Sequence, residues 1–459
     1  MKISPPILVA LVMSLAVASA APAQTPASAG EVLAQVRERA KIPGIAAAVV
    51  RDGRIVAAGV SGLREIGKPD AIQLGDPFVI ASCTKRMTRL LVGRLVQSGR
   101  LRLDATLPQL LPGVKMRPEY EKATLADLIG HTAGLPAYTR ITPRDTPIIF
   151  ELKGSPERQR TRFVEHVLME SPAGTVGRDF VYSNAGFVVI GNIAERAAGK
   201  PWETLIQEEV LQPLGIRSAT IGFPMSAAPN ALPKGHERTP DGYAPATYAP
   251  PNNGVFAPAG GVCLSIEDFA RFAAAEVNAD AGIATPFLEK TTVETLSALQ
   301  PENSRRGENI TFYGGQGTFT AACALWPAKG LGIVVCVNAG HGDDLCNAAI
   351  EALRVAFAPD IPPEVAPIGP GSGPKLGVML RARPDGTVFF ESVLAGGPAD
   401  GAGIKAGDEL VTLDGKTFKA MDPSVAGPAL RAPGVTIGIR RDGKLLEIRM
   451  PGGARPASK

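Results

Sequence analysis

Residues that commonly bind metals are scarce in this sequence and widely separated. Its 459 residues include five cysteines and four histidines, without the close pairing that structural metal sites use. We therefore expect no metal and no other cofactor. A strong excess of one charge is also missing, because the net charge is +4 and the lysines and arginines are scattered. Nucleic-acid-binding surfaces are concentrated and basic, so nucleic acid is not an expected partner.

Long hydrophobic runs are missing except at the N-terminus. There Lys2 precedes the run ILVALVMSLAVASA, and small residues allow cleavage after Ala20 or Ala23. This pattern predicts a secretory signal peptide over residues 1–23. A membrane anchor is the alternative, although the run is short for a span. No later run could cross a membrane, so we expect a soluble mature protein that is periplasmic or secreted.

An exported protein can form disulfides, but the number of cysteines is odd. Cys323 and Cys336 flank a predicted turn at PAKG and could face each other across a hairpin. A bridge between directly paired strand residues is strained. Buried thiols are therefore the preferred interpretation.

The order of predicted elements indicates an α/β (α+β) fold. Hairpins are predicted at IAAAVVRDGRIVAAGVSG and at GTFTAACALWPAKGLGIVVCVNAG, and a closing helix at DDLCNAAIEALRVAF. Helical patterns fill the region between the hairpins. We therefore predict an antiparallel sheet flanked by helices, in which both ends of this region meet.

Composition divides the mature chain into two domains. Residues 359–373 are rich in proline and glycine, which predicts a linker. Residues 24–358 before it contain the two hairpins and the helices. Residues 374–451 after it contain short strands and one weak helix pattern, DPSVAGPALRA, which predicts a small, mainly β domain.

Ser82 lies where the run VIAS gives way to a helical pattern, with Lys85 three positions on. A serine hydroxyl needs a base within hydrogen-bond reach to act as a nucleophile. Residues three apart share a helix face, and a buried lysine amine can serve as that base. In the alternative, Ser82 only caps the helix. Ser372 and Lys375 have the same spacing but lie where no helix is predicted.

Tyr182 and Asn184 precede a second helical pattern. A phenol can move a proton, and an amide can orient a lysine or a substrate carbonyl. In the alternative, Asn184 caps the helix and Tyr182 packs in the core. His131, at the end of the helix LADLIGH, and Cys83, beside Ser82, are interpreted as structural.

Five segments together resemble the serine β-lactamase-like family: SCTK at residues 82–85, LADLIGHTAGL, YSN at residues 182–184, PAGGVCLSIEDFARF and GLGIVVCVN. That family includes class C β-lactamases, D-alanyl-D-alanine carboxypeptidases, and related esterases and D-amino-acid peptidases. The resemblance covers residues 30–357. It implies an acyl-serine mechanism with Ser82, Lys85 and Tyr182 as catalytic residues and Asn184 as an orienting residue.

Many members also carry Lys-Thr-Gly or His-Gly-Gly on an edge strand, where the cation contacts a substrate carboxylate. The matching residues here are Tyr313, Gly314 and Gly315, and by position Gln316 would supply the second oxyanion N–H. The two glycines, which have no side chain, allow the substrate backbone to approach this strand closely. Because Tyr313 carries no charge, an ester or neutral amide substrate, small or peptidic, is favoured over a β-lactam.

The segments KLGVML, VLAGGPADGAGIKAGDELVTLDGK and GVTIGIRRDGK resemble a bacterial PDZ domain. The resemblance implies that Leu376, Gly377 and Val378 bind a peptide or protein C-terminus. Gly427 and Pro428 interrupt the helix that would line the peptide groove, so the fold is predicted more firmly than peptide binding.

These observations together predict an exported serine hydrolase. They leave open whether Lys85 or Tyr182 takes the serine proton. The alternative is a catalytically weak or inactive protein that kept the fold and acts as a binding or adaptor protein through its PDZ-like domain.

Overall fold

A computed structural model describes residues 28–361 and 378–450, apart from 140–141, 143–145, 223–231, 240–241, 248–253, 284–286, 291, 293–295, 297–298, 300–304, 307–308, 383–386, 394–397 and 419–433. The helices are α1 (Ala29–Ala40), α2 (Thr84–Gln97), α3 (Leu107–Leu110), α4 (Leu125–Ile129), α5 (Pro147–Glu151), α6 (Pro156–Val167), α7 (Asn184–Ala198), α8 (Trp202–Ile206), α9 (Ala257–Gly260), α10 (Ile266–Asp280), α11 (Asp343–Phe357) and α12 (Pro398–Gly401).

The strands of the first domain are β1 (Gly44–Arg51), β2 (Arg54–Gly62), β3 (Phe78–Val79), β4 (Thr220–Ile221), β5 (His236–Thr239), β6 (Gly242–Pro245), β7 (Val262–Leu264), β8 (Arg305–Arg306), β9 (Asn309–Gly315), β10 (Thr320–Trp326) and β11 (Leu331–Val337). Those of the second are β12 (Val378–Ala382), β13 (Val388–Val393), β14 (Glu409–Leu413), β15 (Lys416–Thr417), β16 (Thr436–Arg441) and β17 (Lys444–Arg449).

The main sheet of the first domain is antiparallel, with strand order β2-β1-β11-β10-β9-β8. Its two hairpins are those predicted from the sequence. Asp52 and Gly53 have φ values of 49° and 75°, the left-handed turn that joins β1 to β2. Because β1 pairs with β11, the two ends of the domain meet in one sheet, which confirms the predicted fold class.

Each face of this sheet buries a separate core. Along β10, one face packs toward α2 and α10 and contributes Ala321, Cys323 and Leu325. The other face packs toward α1 and α11 and contributes Ala322, Ala324 and Trp326. This alternation follows from the two-residue period of a strand. It also determines which β9 side chains can face Ser82.

The five cysteines are buried and are not bonded to one another. Buried thiols were the preferred interpretation of the sequence, and the alternative, in which Cys323 and Cys336 face each other, does not occur. In the β10–β11 register, Cys323 lies opposite Val334 and Cys336 lies opposite Ala321.

Residues just after the predicted domain end at residue 358 contact the first domain. Ile361 is 2% exposed and packs in the core formed by α1 and α11. Asp360 is paired with Arg51 at 2.7 Å, and Arg354 donates to the Ile361 carbonyl. We therefore propose that the boundary of the first domain falls after Ile361.

The second domain is a small antiparallel sheet with strand order β12-β13-β14-β16-β17, in which β15 pairs with β14. Its core includes Phe390, Ile404, Leu410, Ile437 and Ile439. Of the predicted peptide-binding residues, Val378 begins β12, whereas Leu376 and Gly377 lie outside the described residues. The predicted signal peptide and the weak helix at DPSVAGPALRA also lie outside them. Within the described residues, no helix has the length and apolar character needed to span a membrane.

Candidate active site

Ser82 lies in a 3₁₀ turn, Ala81–Cys83, that leads directly into α2. The preceding residue, Ala81, has a φ of +43°. A left-handed conformation costs a non-glycine residue about 1–2 kcal/mol. The turn is held by an Ile80 N–H bond to the Val262 carbonyl at 3.2 Å, next to the β3–β7 pair. Such strain is common beside reactive groups, and here it orients the residue that follows.

The Ser82 hydroxyl lies between the two groups predicted to move its proton. Its Oγ is 3.1 Å from Lys85 Nζ and 2.8 Å from the Tyr182 hydroxyl. Lys85 is 6% exposed, whereas Tyr182 is 37% exposed. Both contacts are within the range of strong hydrogen bonds. Ser82 therefore has two potential proton acceptors, and the N-cap position of α2 belongs to Cys83, without a side-chain cap bond.

Lys85 is also bound by two fixed acceptors. Nζ donates to Asn184 Oδ1 at 2.6 Å and to the Ala259 carbonyl at 2.8 Å. A neutral amine would spend both of its N–H groups on these oxygens and direct its lone pair at Ser82. An ammonium would donate to all three oxygens. The geometry fits either protonation state, so Lys85 and Tyr182 both remain candidates for the base.

Asn184 is held through both polar atoms of its side chain. Its Oδ1 accepts from Lys85, and its Nδ2 donates to the Tyr138 carbonyl at 2.9 Å. Asn184 is not the cap of α7, because Ser183 Oγ accepts the Gly186 N–H at 2.9 Å. The amide is thus oriented with its oxygen toward the lysine.

His131 lies beside Tyr182 in an apolar environment. Burial, with a smaller contribution from the nearby Lys85 charge, lowers the pKa of His131 to about 3. Its ring is therefore neutral at neutral pH. His131 Nδ1 accepts the Ser183 N–H at 3.1 Å.

Gly314 on β9 lies directly against the nucleophile turn. A Cβ at Gly314 would stand 2.0 Å from the Ile80 carbonyl oxygen and 2.9 Å from the Ser82 backbone nitrogen. Only glycine fits at that distance. Gly315 differs, because it is exposed and a Cβ there would meet no atom within 4 Å. The close approach of β9 to the Ile80–Ser82 turn therefore depends on Gly314, whereas Gly315 borders open space.

The structure does not support Gln316 as the second oxyanion donor. Its N–H donates to the Phe319 carbonyl at 3.1 Å, toward the β10 side of the hairpin. In an antiparallel ladder, successive residues direct their N–H groups to opposite edges of the strand. The Gly315 N–H therefore points to the edge of β9 that faces away from β10.

The structure also corrects the position of Tyr313. Its hydroxyl donates to Asn347 Oδ1 on α11 at 2.6 Å, and its ring packs on the α1/α11 face of the sheet. Gly314 and Phe312 face the opposite side, toward α2. Because side chains alternate along a strand, Phe312 rather than Tyr313 shares a face with Gly314 and the nucleophile turn.

Phe312 also contacts a buried charge cluster. The Arg86 guanidinium carbon lies 4.9 Å from the centre of the Phe312 ring. Arg86 is bound by the carboxylates of Glu276 and Asp280. The same two acids also pair with Arg89, so the cluster balances two positive charges with two negative ones. Arg86 therefore does not replace the cation that many family members carry on this strand.

Two contributors to the site were missed by the sequence reasoning. They are the carbonyl oxygens of Ala259 and Tyr138, which bind Lys85 and Asn184 respectively. Any residue type can present a carbonyl, so neither had a side-chain signal. The segment PAGG, which contains Ala259, carries a signal only as part of the family resemblance.

Comparisons with known proteins define the class. Residues 31–357 match the family model described as Beta-lactamase, and residues 368–440 match the model of the PDZ domain. The first match covers more than half of the chain. The chain therefore belongs to the β-lactamase family and carries a C-terminal PDZ domain, as its sequence motifs indicated.

Individual relatives are distant. The N-acetylmuramyl-L-alanine amidase of Bacillus subtilis (strain 168) is 28% identical over 193 residues, covering 39% of this chain and 42% of that protein. The chain thus spans less than half the length of this curated relative.

Solved structures confirm the fold. The octameric penicillin-binding protein homologue from Pyrococcus abyssi has a TM-score of 0.59 at 19% identity, covering 91% of this chain and 94% of that one. A class C β-lactamase from Rhodobacter sphaeroides has a TM-score of 0.54 at 20% identity, covering 71% of this chain and 97% of that one.

Proposed function

We propose that this protein is an exported serine hydrolase that cleaves an ester or amide through an acyl-serine intermediate on Ser82. The observation that carries this proposal is the position of Ser82 Oγ, 3.1 Å from Lys85 Nζ and 2.8 Å from the Tyr182 hydroxyl. A nucleophile with two proton-transfer groups in hydrogen-bond contact is the arrangement that acyl transfer requires.

The proposed reaction has two steps. Ser82 Oγ attacks the acyl carbon, its proton passes to Lys85 or Tyr182, and the leaving group departs with a proton from the same pair. Water then attacks the acyl-serine, gives up its proton to that pair, and the serine hydroxyl is restored. In both steps the oxyanion accepts hydrogen bonds from the Ser82 N–H in the turn before α2 and from the Gly315 N–H at the end of β9.

The proposed substrate is an ester or amide that lacks a carboxylate beside the cleaved bond. Residues 312–316, Phe-Tyr-Gly-Gly-Gln, contain no basic side chain. Phe312 occupies the face where a cation would reach the substrate, and Arg86 behind it is compensated by two acids. A carboxylate-bearing β-lactam would find no charge-assisted contact on this strand.

Turnover on a substrate panel tests the proposal. The panel contains p-nitrophenyl esters, D-amino-acid amides and nitrocefin, and Ser82→Ala is the matched inactive control. We expect hydrolysis of at least one ester or amide, slow hydrolysis of nitrocefin, and no turnover by Ser82→Ala. No turnover of any substrate by the folded wild-type protein would favour the binding-protein alternative.

A further inference from the structure

His131 contacts three successive residues, and Tyr182 is the middle one. The His131 carbonyl accepts the Val181 N–H at 2.8 Å. The imidazole stacks on the Tyr182 ring, with centroids 4.8 Å apart and planes at 29°. Nδ1 of the same imidazole accepts the Ser183 N–H at 3.1 Å. The segment that carries the Tyr182 phenol is thus attached to one residue at three points.

The chemistry of these contacts suits histidine. His131 has a φ of +59°, a conformation in which His, Asn and Asp are enriched among non-glycine residues. Its Nδ1 must be unprotonated to accept a hydrogen bond, while its flat ring supplies the stacking surface. Phe180 and Phe187 surround the ring, with centroids at 5.6 and 5.4 Å.

Tyr182 needs such support because more than a third of its surface is exposed. Among its described contacts, Lys85 Nζ lies 5.0 Å from the ring centre, and the hydroxyl reaches Ser82. The His131 ring therefore limits how far the Tyr182 ring can rotate away from the nucleophile.

We propose that His131 is a positioning residue that holds the Tyr182 hydroxyl within hydrogen-bond distance of Ser82 Oγ. This inference rests on the proposed hydrolase function. His131 takes no part in proton transfer itself. Its loss affects the rate of the chemical steps and leaves substrate binding largely unchanged.

The test is a double-mutant cycle between His131→Asn and Tyr182→Phe. Asparagine tolerates the left-handed backbone and keeps an acceptor for the Ser183 N–H, so the substitution removes mainly the ring. His341→Asn is the matched control, because His341 is exposed and has a φ of 55°. Rates are measured on the best ester and by fluorophosphonate labelling, which can be followed for hours in slow variants.

We expect His131→Asn to lower kcat about 10- to 100-fold, the range for misplacing one proton-transfer group, with KM changed less than about twofold. In the Tyr182→Phe background, the same substitution should lower the rate by less than about twofold. His341→Asn should match the wild type. A loss of kcat of the same size in the wild-type and Tyr182→Phe backgrounds would overturn the proposal. An increase in KM with no change in kcat would also overturn it.

Two further outcomes are distinguishable. An active wild type whose rate is unchanged by His131→Asn contradicts the positioning role alone, whereas an inactive wild type contradicts the hydrolase function as well. If His131→Asn does not fold, His131→Phe and His131→Ala replace it. The phenylalanine variant, which keeps a ring against Tyr182, should retain more of kcat than the alanine variant, and the reverse order contradicts the proposal.

Discussion

The Asn184 side chain contacts the site through both of its polar atoms, and each contact requires a particular atom. The oxygen accepts from Lys85, whereas the nitrogen donates to the Tyr138 carbonyl. The Tyr138 hydroxyl in turn donates to Glu170, which anchors the loop that presents this carbonyl. The amide is therefore oriented by the protein before any substrate binds.

Asn184→Asp should lower kcat about 100-fold. The new carboxylate would direct a second acceptor at the Tyr138 carbonyl and would place a negative charge beside Lys85, which favours the protonated amine over the base. Steady-state kinetics on the best ester will measure the effect, and thermal unfolding will check the fold. Activity within about twofold of wild type would show that the amide does not orient Lys85.

His131 and His236 both make the stability of the protein depend on pH. His236 Nδ1 lies 2.8 Å from the Asn338 carbonyl, and its Nε2 accepts the Ile66 N–H at 3.1 Å. Burial lowers the pKa of both histidines below the unfolded value of about 6.5. The unfolded chain therefore binds more protons than the native protein once the pH falls below that value.

The free energy of unfolding should accordingly fall as the pH drops from about 6.5 to 5, by up to about 1.4 kcal/mol per pH unit for each histidine. Carboxylates stabilised as anions, such as Asp268 and Asp408, contribute only at lower pH, near the unfolded carboxylate pKa. Urea unfolding at pH 7.5, 6.5 and 5.5 measures this slope. His131→Asn should flatten it, and equal stability at all three pH values would contradict the assignment.

Strand β9 shows at the scale of one element how the site depends on backbone contact. Gly314 touches the nucleophile turn, while Gly315 borders open space. The two adjacent glycines therefore have different tolerances for a side chain, although the sequence presents them as a pair.

Gly314→Ala should displace β9 from the Ile80–Ser82 turn, because the new Cβ would stand 2.0 Å from the Ile80 oxygen. We expect a loss of about 1–3 kcal/mol in the free energy of unfolding and at least a 100-fold loss of Ser82 labelling by fluorophosphonate. Gly315→Ala is the matched control for stability and should change it by less than about 0.5 kcal/mol. Equal stability of the two variants would refute the close approach.

The elements that the sequence predicted correctly have local signals. The β1–β2 hairpin follows from alternating residues around Asp52 and Gly53, and α11 follows from an apolar repeat of helical period. The register of β9 has no such signal, because it depends on pairing with β10. The motif was placed one residue too far along the strand, because Phe312 and not Tyr313 shares a face with Gly314. We propose accordingly that Gly315, and not Gln316, supplies the second oxyanion N–H. The proposed end of the first domain likewise has no local signal, because it depends on where Ile361 packs.

At the scale of the whole molecule, the two domains have separate cores. Most of the predicted proline-rich linker, residues 362–373, lies outside the described residues. We propose that the PDZ domain binds a peptide or protein partner and that the chemistry belongs to the first domain alone.

A shortened protein of residues 24–363 should therefore keep the turnover of the full chain on a small ester. A protein of residues 24–358 should be less stable by about 1.5–3 kcal/mol, because it loses the buried Ile361 side chain, which is 2% exposed. Steady-state kinetics and thermal unfolding of the two proteins will test both points. If residues 24–363 fold cooperatively but lose most of the activity, the PDZ domain contributes to the active site.

The central claim is that Ser82 forms a covalent acyl intermediate. Intact-mass spectrometry of the protein after brief exposure to a p-nitrophenyl ester or a fluorophosphonate measures this directly, and peptide fragmentation locates the modified residue. We expect one added group per chain, on Ser82, which is missing in Ser82→Ala and forms at least 100-fold more slowly in Lys85→Met. An adduct on any other residue, or equal labelling of Ser82→Ala, would contradict it.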